Sequence, residues 1–171
     1  LFEIFCREAM AYLNSFPADI WERLALAQHY GLPTRLLDWT ANPLVALYFA
    51  VEADPDADGK LFALRAIAKA SETDLSSSPF SVKRPIKLYP NVITPRIRSQ
   101  EALFVVCSDI ENPLDRNLRP DWKIESLIVP KEKKAGLRYE LFRIGIHKSS
   151  LFPDLEGLAE RLKWQHAVSP C

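Results

Sequence analysis

Apolar side chains recur at helical spacing along the first part of the chain. They line one face over residues 2–16 and again over residues 20–30, so the sequence predicts two amphipathic helices. Gly31 followed by Pro33 is a typical end signal for the second of them. Residues 34–39 are then expected to be extended.

A third helix is predicted just beyond this extended segment. Asn42 fits an N-cap and Pro43 fits the first helical position. Residues 44–51 are apolar nearly all round, so we expect this helix to be buried on most sides. Residues 54–59 form a predicted turn, and residues 60–67 alternate as a strand does.

The remainder of the chain predicts further strands followed by helices. Residues 71–85 are expected to form a polar surface loop. Strands are expected over 86–93, where Pro90 interrupts the pattern, over the end of the segment 96–107, which begins polar and ends rich in β-forming residues, and over 122–129. Helices are expected over 130–142 and 155–162. With helices early and late and strands in the middle, the fold class is α+β in a single domain.

Composition and charge argue against several classes of protein. The 171 residues are 48% apolar, enough for a packed core, and 22 basic residues balance 22 acidic ones. A neutral chain has no bulk attraction for nucleic acid or an anionic membrane, and no apolar run reaches the roughly 20 residues of a membrane span. The three widely spaced cysteines predict reduced thiols in a cytoplasmic protein, with no metal site.

The segment QHYGLPTRLLDWT, residues 28–40, is the first candidate for chemistry. It places His29, Arg35 and Asp38 between two apolar helices, where polar groups must be paired. One interpretation is an Arg35–Asp38 ion pair that braces a tight turn. The other is a ligand pocket whose wall these side chains form. The residues alone favour neither.

The segment RIRSQEALFVV is the second candidate. Arg96, Arg98, Gln100 and Glu101 stand directly before an apolar strand. They are either solvated charges at a strand start or a site in which Gln100 or Glu101 contacts a sugar hydroxyl or a developing cation. In the second case the two arginines would pair with phosphate. The basic stretch 131–134 is expected to be a solvated helix start.

Three segments resemble the motifs of the FRG domain family. AQHYGLPTRLLDWTANPLVALYFAVE (residues 27–52) is similar to its signature, and residues 94–106 and 150–164 resemble its second and terminal motifs. This resemblance implies that an FRG domain covers residues 1–171 without the Phe-Arg-Gly segment, which we expect upstream of Leu1. It also implies a component of bacterial or phage conflict systems, such as a toxin or a phage-defence protein.

The order of these motifs further resembles that of ADP-ribosyltransferases of the Arg-Ser-Glu type. This resemblance implies a split, mostly antiparallel sheet with packed helices. It places Thr40 at the hydroxyl position that orients the ribose, and Gln100 or Glu101 at the acidic position. The Gln-Glu pair is adjacent, whereas the family spaces its two residues by one. Of the two, Glu101 would support catalysis.

The resemblance implies an NAD-dependent ADP-ribosyltransferase or NAD glycohydrolase effector. NAD would be the substrate, no metal would be needed, and a protein or nucleic acid would be the acceptor. His29 and Arg35 are then expected to bind the nucleotide, with Asp38 orienting Arg35 or its loop. The alternatives are a non-catalytic module that recognises nucleotides or nucleic acid through Arg96, Arg98 and Arg35, and a purely structural domain.

Overall fold

The computed structural model describes residues 1–66, 70–91 and 94–168. Their α-helices are α1 (Phe2–Ala9), α2 (Ile20–His29), α3 (Pro43–Glu52), α4 (Glu72–Ser76), α5 (Pro95–Ser99), α6 (Lys131–Arg143), α7 (Lys148–Leu151) and α8 (Leu155–Val168). The strands are β1 (Leu36–Thr40), β2 (Gly59–Arg65), β3 (Ile86–Leu88), β4 (Ala102–Val106) and β5 (Lys123–Val129). Predictions for Ile67, residues 92–93 and Cys171 concern positions outside the described residues.

The predicted α+β class with antiparallel pairing is confirmed, whereas the first predicted helix and the predicted loop over residues 71–85 differ from the structure. The first helix ends at Ala9 instead of continuing to residue 16. Asn14 and Ser15 are poor helix formers, and Pro17 disfavours helical backbone at the residue before it. The predicted loop over 71–85 contains α4, because Ser71 and its partner three residues later form a capping box, and a 3₁₀ turn.

Residue contacts divide the chain into two compact units. The first comprises Leu1–Trp39, Arg65–Ile93 and Leu103–Lys123. Its sheet has the strand order β1-β4-β3, and β3 pairs antiparallel to β4 with Ile86 opposite Val106. The buried core is formed by Trp21, Leu24, Ala25, Leu36, Ile86, Leu88, Phe104 and Val106.

The second unit comprises Thr40–Leu64, Thr94–Ala102 and Ile124–Cys171. It contains the two-stranded sheet β2-β5 and the helix pairs α3–α6 and α7–α8. The buried core is formed by Val45, Tyr48, Ala50, Val51, Val129, Leu141 and Leu151.

Helix α3 is less buried than its composition predicts. Asn42 caps it by accepting a hydrogen bond from the Leu44 N–H, and Pro43 occupies its first turn, both as predicted. Leu44 and Phe49, however, are 40% and 38% exposed. Val45, Tyr48, Ala50 and Val51 are buried, so the predicted burial is confirmed for these residues and is wrong for Leu44 and Phe49.

Lys134 in α6 is buried, although the sequence predicts a solvated basic stretch there. Only 4% of its surface is exposed. Its ammonium group donates to the carbonyl oxygens of Ala53, Asp54 and Ala57 at 2.5, 2.7 and 3.1 Å. These carbonyls lie just past the C-terminus of α3, where a cation is favoured by the helix dipole. Lys134 therefore caps the C-terminus of α3 and stabilises the turn that follows it.

Two glycines of the second unit are expected to respond oppositely to alanine. A methyl group at Gly157 would collide with the carbonyl oxygen of Phe152, whereas one at Gly136 would meet nothing within 4 Å. Gly157→Ala should lower the free energy of unfolding by about 1–3 kcal/mol through overpacking. Gly136→Ala should raise it by about 0.5–1 kcal/mol, because glycine is unfavourable inside α6. Urea denaturation measures both, and equal effects would contradict the packing described.

The N-cap of α7 makes the stability of the second unit depend on pH. The His147 Nδ1 accepts the Ser150 N–H at 3.1 Å, which requires an unprotonated nitrogen. Burial, with a smaller contribution from the nearby Arg161 charge, holds the pKa of His147 below its usual 6.5. The unfolded state therefore binds the proton more tightly, so stability is complete above pH 6.5 and is lost as the pH falls below it.

We expect the melting temperature to fall as the pH is lowered from 7.5 to about 5.5, the region where an ordinary histidine titrates. His147→Asn keeps a capping oxygen without a titrating group. That variant should lose part of the pH dependence in this interval. Identical pH profiles for both proteins would show that His147 does not contribute.

Candidate functional site

In the second unit, the segment at the end of β1 is hydrogen-bonded to the segment that follows α5. The Thr40 hydroxyl donates to the Gln100 carbonyl oxygen at 2.7 Å and accepts the Asn42 N–H at 3.0 Å. The Ala41 N–H donates to the Glu101 carbonyl oxygen at 3.1 Å. These bonds fix residues 40–42 against residues 100–101.

The Asn42 side chain fixes the position of the Glu101 carboxylate. Its Oδ1 accepts from the first turn of α3, so its amide nitrogen is the group that remains to donate. That nitrogen donates to Glu101 Oε1 at 2.9 Å. Glu101 itself is exposed to solvent. The result is a carboxylate that is held in one direction yet accessible to a ligand.

Glu101 has a backbone conformation that favours glycine. Its φ is +46°, and it is the only non-glycine residue with a positive φ among those the structure describes. It follows Gln100, the C-cap of α5, at the position where helices commonly end in a left-handed residue. A glutamate there costs about 1 kcal/mol relative to glycine. Such strain is often found at functional sites.

Gln100 is half-buried, and its side chain is bound to α7 and not directed by a regular strand. Its amide nitrogen donates to the Leu151 carbonyl oxygen at 3.1 Å, and the Ser99 hydroxyl donates to the same oxygen at 3.0 Å. Both side chains thus satisfy the last carbonyl of α7. Because β4 begins at Ala102, Gln100 and Glu101 precede the strand, and the alternation of side chains along a strand does not decide which of them faces a ligand.

Arg96 and Arg98 lie on α5, five and three residues before Glu101. The Arg96 guanidinium is centred 4.3 Å from the Phe152 ring, and the Lys148 ammonium is 4.1 Å from the same ring. Lys148 also pairs with Glu52 at 3.2 Å. Arg98 is exposed. Arg96 and Lys148 thus lie on the two sides of the chain that meet at Phe152, and Arg98 is the exposed cation of α5.

The other predicted residues belong to the first unit. The Arg35 guanidinium donates to the Pro79 carbonyl oxygen at 3.2 Å and lies 5.4 Å from the Phe80 ring centroid. Asp38 accepts from the Gln28 amide at 2.9 Å. Arg35 and Asp38 thus have different partners, and the ion pair offered as one interpretation of this segment is not among the described contacts. His29 packs edge-on against the neighbouring Tyr30 ring, with centroids 5.0 Å apart.

Sequence reasoning missed the second function of Asn42. The dipeptide Asn42-Pro43 indicates a helix start, and the capping role occupies one side of the amide. The other side donates across 59 residues to Glu101, a contact that no local pattern contains. Phe152 is missed for the same reason, because its cationic neighbours come from α5 and α7.

The arrangement can hold a cation or a polar ligand through Glu101 and phosphate through the α5 arginines. The described residues contain no group of three His, Cys, Asp or Glu side chains placed to bind a metal ion. They also contain no helix long and apolar enough to cross a membrane.

Comparison with known proteins gives one match. No curated protein and no solved structure matches the chain significantly. A family model described as FRG domain matches residues 1–59, which include the whole of the signature over residues 27–52. The resemblance stated from those residues is thereby confirmed: residues 1–59 match the model of the FRG domain family.

Proposed function

We propose that the chain cleaves NAD, either as an ADP-ribosyltransferase or as an NAD glycohydrolase, with Glu101 as its catalytic carboxylate. The observation that carries the proposal is the state of Glu101. It is exposed, it is held by the Asn42 amide, and it keeps a glutamate where the backbone favours glycine. A purely structural C-cap has no need of a carboxylate at this position.

The chemistry requires such a group. The bond between the nicotinamide nitrogen and C1′ of the ribose breaks, and nicotinamide leaves with the bonding electrons. The ribose carbon becomes an oxocarbenium-like cation, which a fixed carboxylate stabilises electrostatically and by binding a ribose hydroxyl. Water or an acceptor nucleophile then bonds to C1′ and loses a proton.

The surrounding residues divide into binding and positioning groups. Arg98, which is exposed on α5, supplies positive charge for the pyrophosphate of NAD, whereas Arg96 lies on the Phe152 ring. The Thr40 hydroxyl is already bound to Gln100 and Asn42, which favours a positioning role over direct contact with the ribose. Gln100 likewise positions α7. The nucleotide-binding roles of His29, Arg35 and Asp38, which belong to the first unit, stay predictions from the sequence.

The test is nicotinamide release from NAD by the full-length protein. Release without an acceptor indicates a glycohydrolase, whereas release that requires added protein or nucleic acid indicates a transferase. Either result fits a toxin or phage-defence effector. No release under any of these conditions, from a protein shown to be folded, overturns the proposal.

The second candidate function is a binding module without catalysis. It is favoured by the internal hydrogen bonds of Thr40 and Gln100, because these are two of the three side chains that the ADP-ribosyltransferase resemblance places at the ribose. In that case NAD or a nucleic acid would bind without nicotinamide release, with an affinity that falls as salt rises. Arg98→Gln would then weaken binding.

A further inference from the structure

The first unit has a cleft at one end of its three-stranded sheet. Because β3 and β4 run antiparallel, with Ile86 opposite Val106, the residues before β3 and those after β4 lie at the same end. A cleft of about 460 Å³ opens there, between residues 83–85 on one side and residues 108 and 116–121 on the other. It shares no residue with the Glu101 site.

The cleft concentrates positive charge in a chain whose net charge is zero. Lys83, Arg84, Arg116 and Arg119 line it, against the single carboxylate of Asp121. Arg119 pairs with Asp121 at 3.2 Å, and Arg84 pairs with a carboxylate outside the cleft at 3.7 Å. Within residues 1–66, 70–91 and 94–168, neither Lys83 nor Arg116 forms an ion pair. The cleft therefore holds two cations whose charge no neighbouring carboxylate compensates.

The lining indicates which part of an anionic ligand is recognised. Among the described residues, the walls are formed by the basic side chains together with proline, serine, asparagine, leucine and aspartate. None of these wall residues has an aromatic ring on which a base would stack. Three arginines and a lysine beside an asparagine amide suit phosphate oxygens, which accept several charge-assisted hydrogen bonds. Recognition by these groups is independent of the base.

We propose that this cleft binds the phosphate groups of nucleotides, either of a free nucleotide or of a nucleic-acid strand. Lys83 and Arg116 make the principal contacts. Arg84 and Arg119 are oriented by their carboxylates and complete the positive wall. This site adds to the proposed cleavage of NAD and does not depend on it.

The test uses a labelled single-stranded oligonucleotide and unlabelled ADP as the two probes. Fluorescence anisotropy gives the affinity of the full-length protein for the oligonucleotide, and ADP is then added as a competitor. In K83Q/R116Q we expect the affinity to fall at least about tenfold, because two charge-assisted contacts are lost. The slope of log affinity against log salt should decrease in magnitude by about 1.4, since each single-strand phosphate contact contributes about 0.7.

The matched control is K131Q/K133Q, which removes the same charge from two exposed positions of α6. It should bind as the unmodified protein does. Displacement by ADP would show that a free nucleotide occupies the cleft, and binding that resists ADP would show that a strand does. Equal losses in both double variants, or no binding of either probe by folded protein, would overturn the proposal. Nicotinamide release should be the same in K83Q/R116Q as in the unmodified protein.

Discussion

Replacing Glu101 by glycine should abolish nicotinamide release while leaving the fold as stable as before. Glycine relieves about 1 kcal/mol of left-handed backbone strain at φ +46°. That gain offsets the lost hydrogen bond from Asn42, itself worth about 1 kcal/mol. The loss of the only fixed carboxylate at the site should lower the rate at least about a hundredfold.

Two further variants separate charge from structure at this position. Glu101→Gln keeps an oxygen that can accept from the Asn42 amide, so it should fold normally and still be inactive. Glu101→Ala keeps the strain and loses the hydrogen bond, so it should be inactive and less stable by about 1 kcal/mol. Thermal melting and nicotinamide release are measured on all three. A glutamine variant with normal turnover would remove the carboxylate from the mechanism.

Replacing Lys134 by methionine should lower the free energy of unfolding by about 2–4 kcal/mol, the largest stability effect we expect. Methionine fills a similar volume but donates no hydrogen bond. The carbonyl oxygens of Ala53, Asp54 and Ala57 would then lose their shared donor at the end of α3. Chemical denaturation followed by circular dichroism measures the change.

Lys133 supplies the control for that substitution. It is the preceding residue of α6 and is exposed, so Lys133→Met should change the free energy of unfolding by less than about 0.5 kcal/mol. A similar loss in both variants would show that helix propensity or surface charge is responsible. A loss in the free energy of unfolding that is several times larger in Lys134→Met than in Lys133→Met identifies the buried ammonium group as the cause.

Local patterns predicted the elements whose signals lie within a few residues of one another. The cap and first turn of α3 follow from Asn42 and Pro43, and the end of α2 follows from Gly31 and Pro33. The Lys131–Lys134 stretch shows where this fails. Its three lysines look alike in sequence, but only Lys134 meets the carbonyl groups that follow α3, about 80 residues earlier in the chain.

The candidate site was also predicted only in part, because some of its contacts join residues that are far apart in the sequence. Thr40, Gln100 and Glu101 were identified from their motifs, and the structure brings them together in the second unit. The strain at Glu101 and the contact with Asn42 depend on how residues 40–42 meet the end of α5, which sequence alone does not contain. The motifs at 94–106 and 150–164 lie outside the matched residues 1–59, so an FRG domain extending over residues 1–171 stays a prediction.

The most direct measurement of the central claim is an NAD titration of the full-length protein followed by ¹⁵N NMR. The side-chain amide of Asn42 donates to Glu101, so its two proton signals report on any ligand that reaches the carboxylate. We predict that these signals and the Glu101 backbone signal shift and saturate as NAD is added. If NAD leaves both unchanged at concentrations that support nicotinamide release, the reaction occurs elsewhere and Glu101 is not its catalytic residue.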